Sequence, residues 1–133
     1  MRGVFWLLLI VSACSPSSMS DFRHEGEARA RAIAEQLGQI ETREQLLQAE
    51  PQLKKHFEAL VDLMIEAREF QDKHMEEVAV EPFSEERADH ALEEELRRVY
   101  TIEGAREVIE RAQQEALVRL DAYERTRLKK RER

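Results

Sequence analysis

The chain has 133 residues, 37% of them charged, with a formal net charge of −7 and an aromatic share of only 6%. This length suits one small domain, and the acidic balance argues against nucleic acid, itself a polyanion, as a partner. A single cysteine excludes an internal disulfide framework.

At the N-terminus, Arg2 and the α-amino group make a basic start, and Val4 to Val11 is an unbroken apolar run. The small residues Ser12 and Ala13 follow, and then the lone Cys14. A spanning helix needs roughly 20 apolar residues, so this run is too short for a permanent transmembrane anchor. The order of parts over residues 1–15 resembles the signal sequence and lipobox of bacterial prolipoproteins. That resemblance implies cleavage between Ala13 and Cys14, a diacylglyceryl group on the Cys14 sulfur and an acyl chain on its new amino group, with no other cofactor. Two or three acyl chains exceed what stable anchoring requires. An ordinary cleaved signal and a translational start at Met19 compete with this reading, but neither gives the only cysteine a reason to stand there. By the same resemblance, Ser15 after the cysteine, where aspartate would favour retention, implies the outer membrane over the inner. The expected organisation is a signal peptide over residues 1–13, a lipidated cysteine and flexible tether over 14–20, a helical domain over 21–128 and a basic tail over 129–133.

From Ser15 onward, Leu, Ile, Val and Phe together make 26 of 119 residues, close to the level of about 20% at which highly charged chains stop folding. Helices with one apolar stripe manage on so thin a core, while a sheet sandwich must line two faces. Long stretches rich in Ala, Glu, Gln, Arg and Leu favour helix. The predicted fold is all-α, a small bundle of four to five helices.

The first helix is predicted over 21–37, with Ile33 and Leu37 on its apolar side and Gly38 as its stop. Thr42 followed by Gln45 reads as a capping box that opens a short helix carrying Leu46 and Leu47. Pro51 suits the first turn of a new, long helix reaching about Lys73. On that helix Leu53, Phe57, Leu60, Met64 and Ala67 share a narrow sector, and Val61, Leu63, Ile65 and Phe70 widen it beyond the usual stripe of about 100°. An arc this wide predicts a central helix with two neighbours. Lys55, Glu58, Asp62, Glu66, Glu69 and Lys73 form its polar side, with Glu69 and Lys73 ordered for an i,i+4 pair. Residues 78–83 contain Pro82 and read as a returning loop. Ser84 then caps a helix to about Tyr100 bearing Ala88, Leu92, Leu96 and Val99. Thr101 is the predicted cap of a last helix over 102–128, in which Ala105, Ile109, Ala112, Ala116, Leu120 and Tyr123 recur every 3.6 residues on average, the period of a straight helix rather than a supercoil. Its three alanines allow close approach to a neighbour.

Chemistry is faintly marked. His24, His56, His74 and His90 are the ligand candidates, but His56 and His74 stand five turns apart on one helix, roughly 27 Å at 1.5 Å per residue. His90 lies among Glu86, Glu93 and Glu94, which more often solvate a helix face than hold a metal. The Glu-x-x-His pairs of di-metal bundles, a nucleophile elbow and a phosphate-cradling glycine loop do not occur, so no metal site and no catalytic residue is assigned. The paired acids Glu76–Glu77, Glu85–Glu86 and Glu93–Glu95 read as a solvated face.

Charge divides unevenly. Residues 15–123 carry 14 basic and 26 acidic side chains, whereas 124–133 carry six and two. Arg125, Arg127, Lys129, Lys130, Arg131 and Arg133 complement the last helix dipole or meet an anionic partner. The expected function is that of a lipid-anchored, non-enzymatic envelope module that binds or scaffolds another envelope protein, with Phe70, Val80 and Phe83 as a leftover apolar strip. The alternative is a lipoprotein that takes a small ligand or metal, or an unrecognised hydrolase.

Overall fold

The computed structural model describes residues 15–74 and 88–133. Four helices appear there: α1 (Met19–Gly38), α2 (Arg43–Lys73), α3 (Ala88–Val99) and α4 (Ala105–Arg131). Among the described residues there is no strand. The protein is a small all-α bundle, as its composition predicts.

Ser18 begins α1. Its backbone is extended and its hydroxyl accepts the Asp21 N–H at 3.1 Å, the ordinary chemistry of an N-cap. Ser17 adds two bonds of 3.0 Å, from its N–H and its hydroxyl to the Asp21 carboxylate. The helix therefore starts two residues before the predicted Asp21, because residues that read as tether also cap. It stops at Gly38 as expected, and Ile33 and Leu37 are wholly buried.

The Thr42 capping box forms in full. Thr42 Oγ1 accepts the Gln45 N–H at 3.2 Å, and Gln45 Oε1 accepts the N–H groups of Glu41 and Thr42 at 2.7 and 3.2 Å. The helix it opens does not end before Pro51, which corrects the expected break into two. One helix of 31 residues runs through with Pro51 in its interior. Proline there leaves the Leu47 carbonyl without its usual donor and costs about 3 kcal/mol. Leu47 and Pro51 are both exposed, so water can serve that carbonyl. Leu46 before the proline and Leu53 after it are both fully buried, and at about 1.5–3 kcal/mol each their burial exceeds the cost of continuing the helix.

The predicted loop over 78–83 and the Ser84 cap lie outside the described residues, as do Val80 and Phe83. On α3, Leu92 and Leu96 are half-buried and Val99 is fully buried. Thr101 does not cap the last helix. Its hydroxyl donates to the Arg98 carbonyl at 2.6 Å, and the chain winds on through Ile102 N–H to Val99 O (2.9 Å) and Ala105 N–H to Ile102 O (3.1 Å). The reversal falls instead on Gly104, at φ +75°, a conformation that disfavours any side chain. A Cβ there would also stand 2.7 Å from Arg43 Nε. Once started, α4 follows its expected stripe, with Ala105, Ile109, Ala112 and Ala116 buried, Val108 added and Leu120 half-buried. It continues through Arg131, so most of the expected tail over 129–133 is helix.

The principal packing pairs are α1 with α2, α2 with α4, and α1 with α3. α2 thus lies between α1 and α4, which is what its wide apolar arc requires. Arg98, at the end of α3, reaches the end of α1, donating to Leu37 O at 2.6 Å and Ile40 O at 2.9 Å. The ends of α1 and α3 and the starts of α2 and α4 therefore meet at one pole. There Leu37, Ile40, Leu46, Val99, Ala105, Val108 and Ile109 form the driest part of the core. At the opposite pole Phe22, near the start of α1, meets Phe70, near the end of α2, with ring centroids 5.5 Å apart.

Candidate interaction surface

α2 and α4 run parallel, and five ion pairs cross between them in register. Glu50 takes Arg111 through two bonds, of 2.6 and 2.9 Å, and Lys54 meets Glu115 at 2.7 Å. Asp62 accepts from Arg119 at 2.6 Å, and Arg68 pairs with Glu124. Asp72 takes Arg127 through bonds of 2.9 and 2.7 Å. Along α2 the signs run minus, plus, minus, plus, minus, and along α4 they run in the opposite order. Sliding one helix by a rung sets like charges against like. Such exposed pairs contribute little stability singly, but the alternation discriminates between registers. Arg111 holds Glu50 below the usual carboxylate range, Arg127 does the same for Asp72, and the Lys54 ammonium does so for Glu115. The Lys54 ammonium is pushed up by Glu115.

These contacts revise the polar side expected of α2. Asp62 serves the α4 interface, and Glu69 and Lys73 are exposed without pairing to each other. On α3 the acids of the Glu93–Glu95 run also have local partners, Glu93 with Arg97 at 2.7 Å and Glu95 with Arg98 at 2.8 Å. Glu76, Glu77, Glu85 and Glu86 lie outside the described residues.

The histidines are dispersed. His24 and His90 are exposed and His56 is half-buried on α2. His74 caps α2: its ring stacks on Phe70 at 4.1 Å, and its Nδ1 lies 2.8 Å from the Phe70 carbonyl, which requires the proton on that nitrogen. The same carbonyl also accepts the His74 backbone N–H at 3.1 Å, so ring and backbone of this C-cap residue converge on one acceptor. Among the described residues no three His, Cys, Asp or Glu side chains stand together as a metal site, and no polar or charged residue is fully buried. A shallow hollow lined by Ser15, Pro16, Ser17, Asp21, His24 and Glu25 opens to solvent at the start of α1. There the Ser17 N–H, with the Ser17 and Ser18 hydroxyls, holds the Asp21 carboxyl low, and Glu25 pairs with Arg29 at 2.8 Å.

Ala13 and Cys14 lie outside the described residues, and Ser15 is the first residue described. The six basic residues near the C-terminus divide. Arg127 is drawn inward onto Asp72, with only 19% of its side chain exposed, and Arg131 lies 3.7 Å from the same carboxylate. Arg125 pairs with Asp121 one turn back at 2.7 Å. Lys129, Lys130 and Arg133 are exposed and take part in no ion pair among the described residues. Of the expected apolar strip, Phe70 is half-buried between Phe22 and His74. Among the described residues the most exposed large apolar side chains are on α4, at Leu117 (55%), Val118 (63%) and Leu128 (58%). Val118 stands about 200° round the helix from the buried Ala116, at 100° per residue, so it points away from the core.

Sequence reasoning missed Arg98 and the ladder. The only trace of the ladder is the alternation of Arg111, Glu115 and Arg119 at four-residue steps, which acquires meaning once a parallel partner is known. Comparison with protein families, with curated proteins and with solved structures finds no match to this chain.

Proposed function

We propose that this chain is a lipid-anchored module of a bacterial envelope, outer membrane rather than inner, which binds or scaffolds another envelope protein and carries out no chemistry of its own. The observation that carries the reading is the order of Arg2, the apolar run from Val4 to Val11, Ser12, Ala13 and a sole Cys14. The bundle supports it in two ways. Ser15 to Ser18 lead into α1 at an outer end of the bundle, so a lipid on Cys14 need not disturb the core. Among the described residues the histidines are dispersed, and many of the acids are engaged in caps and ion pairs.

A helical partner would find apolar contact on the outward face of α4, at Leu117 and Val118. Anchoring through two or three acyl chains keeps the domain at the surface without a transmembrane helix. Intact-mass measurement of the protein extracted from membranes tests the anchor. The expected product begins at Cys14 and bears diacylglycerol and an N-acyl chain, whereas a product retaining residues 1–13, or beginning at Met19, overturns it. Crosslinking in intact cells tests the partner: Leu117→Lys with Val118→Lys should weaken a specific adduct, and recovery of the monomer alone counts against a binding role.

A further inference from the structure

The parallel course of α2 and α4 brings together two features far apart in sequence. Ser18 caps α1, Phe22 meets Phe70, and two residues beyond Phe70 the Asp72 carboxylate holds Arg127. The start of α1 and the end of α4 therefore share one pole. Arg127 is level with Asp72, α2 ends at Lys73, and α4 continues to Arg131. At 1.5 Å per residue the last turn of α4 overhangs the end of α2 by about 5 Å. It bears the exposed Leu128, Lys129 and Lys130, followed by Arg133.

Complementing the helix dipole does not account for this turn. The dipole end is equivalent to about half a unit charge, whereas residues 127–133 hold five basic side chains and one acidic one. Asp72 takes up Arg127 and lies near Arg131, and a surplus of cations remains directed outward. Nor is the surface far away. Between Cys14 and the cap at Ser18 there are four residue steps, at most roughly 14 Å fully extended, and Ser17 is already tied to Asp21. That reach is less than about twice the screening length of about 8 Å at physiological salt.

We propose that the overhanging turn of α4, residues 128–131 with Arg133, contacts anionic lipid headgroups on the same surface that anchors Cys14. The lysines and arginines face the phosphates, and Leu128 enters the boundary between headgroup and acyl chain, as in interfacial amphipathic helices. The bundle then stands on its tether pole, with the dry pole directed away from the membrane. The nearness of that surface and the orientation rest on the lipid-anchor reading given above; the exposed cations and Leu128 do not.

The test uses the full chain purified from membranes and reconstituted into vesicles of phosphatidylcholine alone, or with added phosphatidylglycerol, carrying brominated acyl chains. Trp6 is the sole tryptophan, so in a Trp6→Phe background Leu128→Trp gives a unique reporter at the overhang and Glu103→Trp one at the opposite pole, whether or not residues 1–13 are removed. Leu128→Trp should be quenched in anionic vesicles and Glu103→Trp should not. Adding Lys129→Gln, Lys130→Gln and Arg133→Gln should reduce the quenching about threefold or more, as should molar salt. Equal quenching in neutral and anionic vesicles, no effect of the three glutamines, or stronger protection of the reporter by soluble polyglutamate than by anionic lipid overturns the proposal. Intact mass of the same samples separates the two readings. Acylated protein without charge-dependent quenching retains the anchor and loses the headgroup contact, while unacylated protein that is still quenched in a salt-sensitive way does the reverse.

Discussion

The two poles of the bundle are built on different principles. At the dry pole, where α1 and α3 end and α2 and α4 begin, side chains from all four helices close on one another, and Leu37, Leu46, Val99 and Ile109 retain no exposure. Arg98 fastens this pole by covering two carbonyls at the end of α1. At the tether pole contact is made by aromatic stacking of Phe22, Phe70 and His74 and by the ion pair of Asp72 and Arg127. One pole holds the fold together by burial, and the other presents charge. Among the described residues the largest fully buried side chains gather toward the pole where α1 and α3 turn into α2 and α4, and contacts at the other pole are aromatic and ionic.

If that contrast is right, truncation at the two poles should differ most of all. Ile109→Ala should cost about 2–5 kcal/mol, as wholly buried aliphatic truncations do, while Leu128→Ala should change stability by less than about 0.5 kcal/mol; urea unfolding measures both. Comparable losses at the two sites would break the comparison. Next in size, Arg98→Ala should cost about 2 kcal/mol, because charge-assisted bonds to two carbonyls are lost together, and Arg98→Lys, with no planar fork, should recover only part of it. Smaller again, Gly104→Ala should cost about 1–2 kcal/mol from its positive φ, which a shift in the thermal midpoint would register.

The smallest effect concerns the ladder. Glu50, Asp72 and Glu115 are all held below the ordinary carboxylate range by their basic partners. Their contribution is therefore fully present above that range and is lost as pH falls through the lower values they have in the folded protein. Thermal midpoints should decline on acidification below about pH 4, and Glu50→Gln combined with Asp72→Asn should flatten the decline. An unchanged slope would show that the ladder carries no measurable share of the acid response.

Much of this was open to reading along the chain. The Thr42 box, the Gly38 stop, the wide arc of α2 except for its exposed Met64, and the Ala105–Ala116 stripe are local patterns, and each formed where expected because hydrogen bonds and periodicity within a few residues decide them. The errors fell where a distant contact outweighed a local preference. Pro51 looked like a helix start, yet burial of Leu46 and Leu53 carried α2 through it. Thr101 looked like a cap, but Gly104 made the reversal, since the turn passes through a positive φ that glycine takes without strain. The ladder joins residues 55 to 61 positions apart, and nothing in the spacing of charges names the partner helix.

By itself the sequence determined an all-helical body, most helix bounds, an acidic trunk with a basic end, and an N-terminal pattern on which the proposed lipid anchor rests. Only the tertiary structure decided which end of the molecule that basic segment occupies. Among the described residues α2 runs back from the end of α1 and α4 runs parallel to α2, so the end of α4 returns to the pole where α1 starts. A reversal at Pro51 would have separated them; the packing of two leucines keeps α2 continuous, and so sets Lys129, Lys130 and Arg133 beside the start of α1.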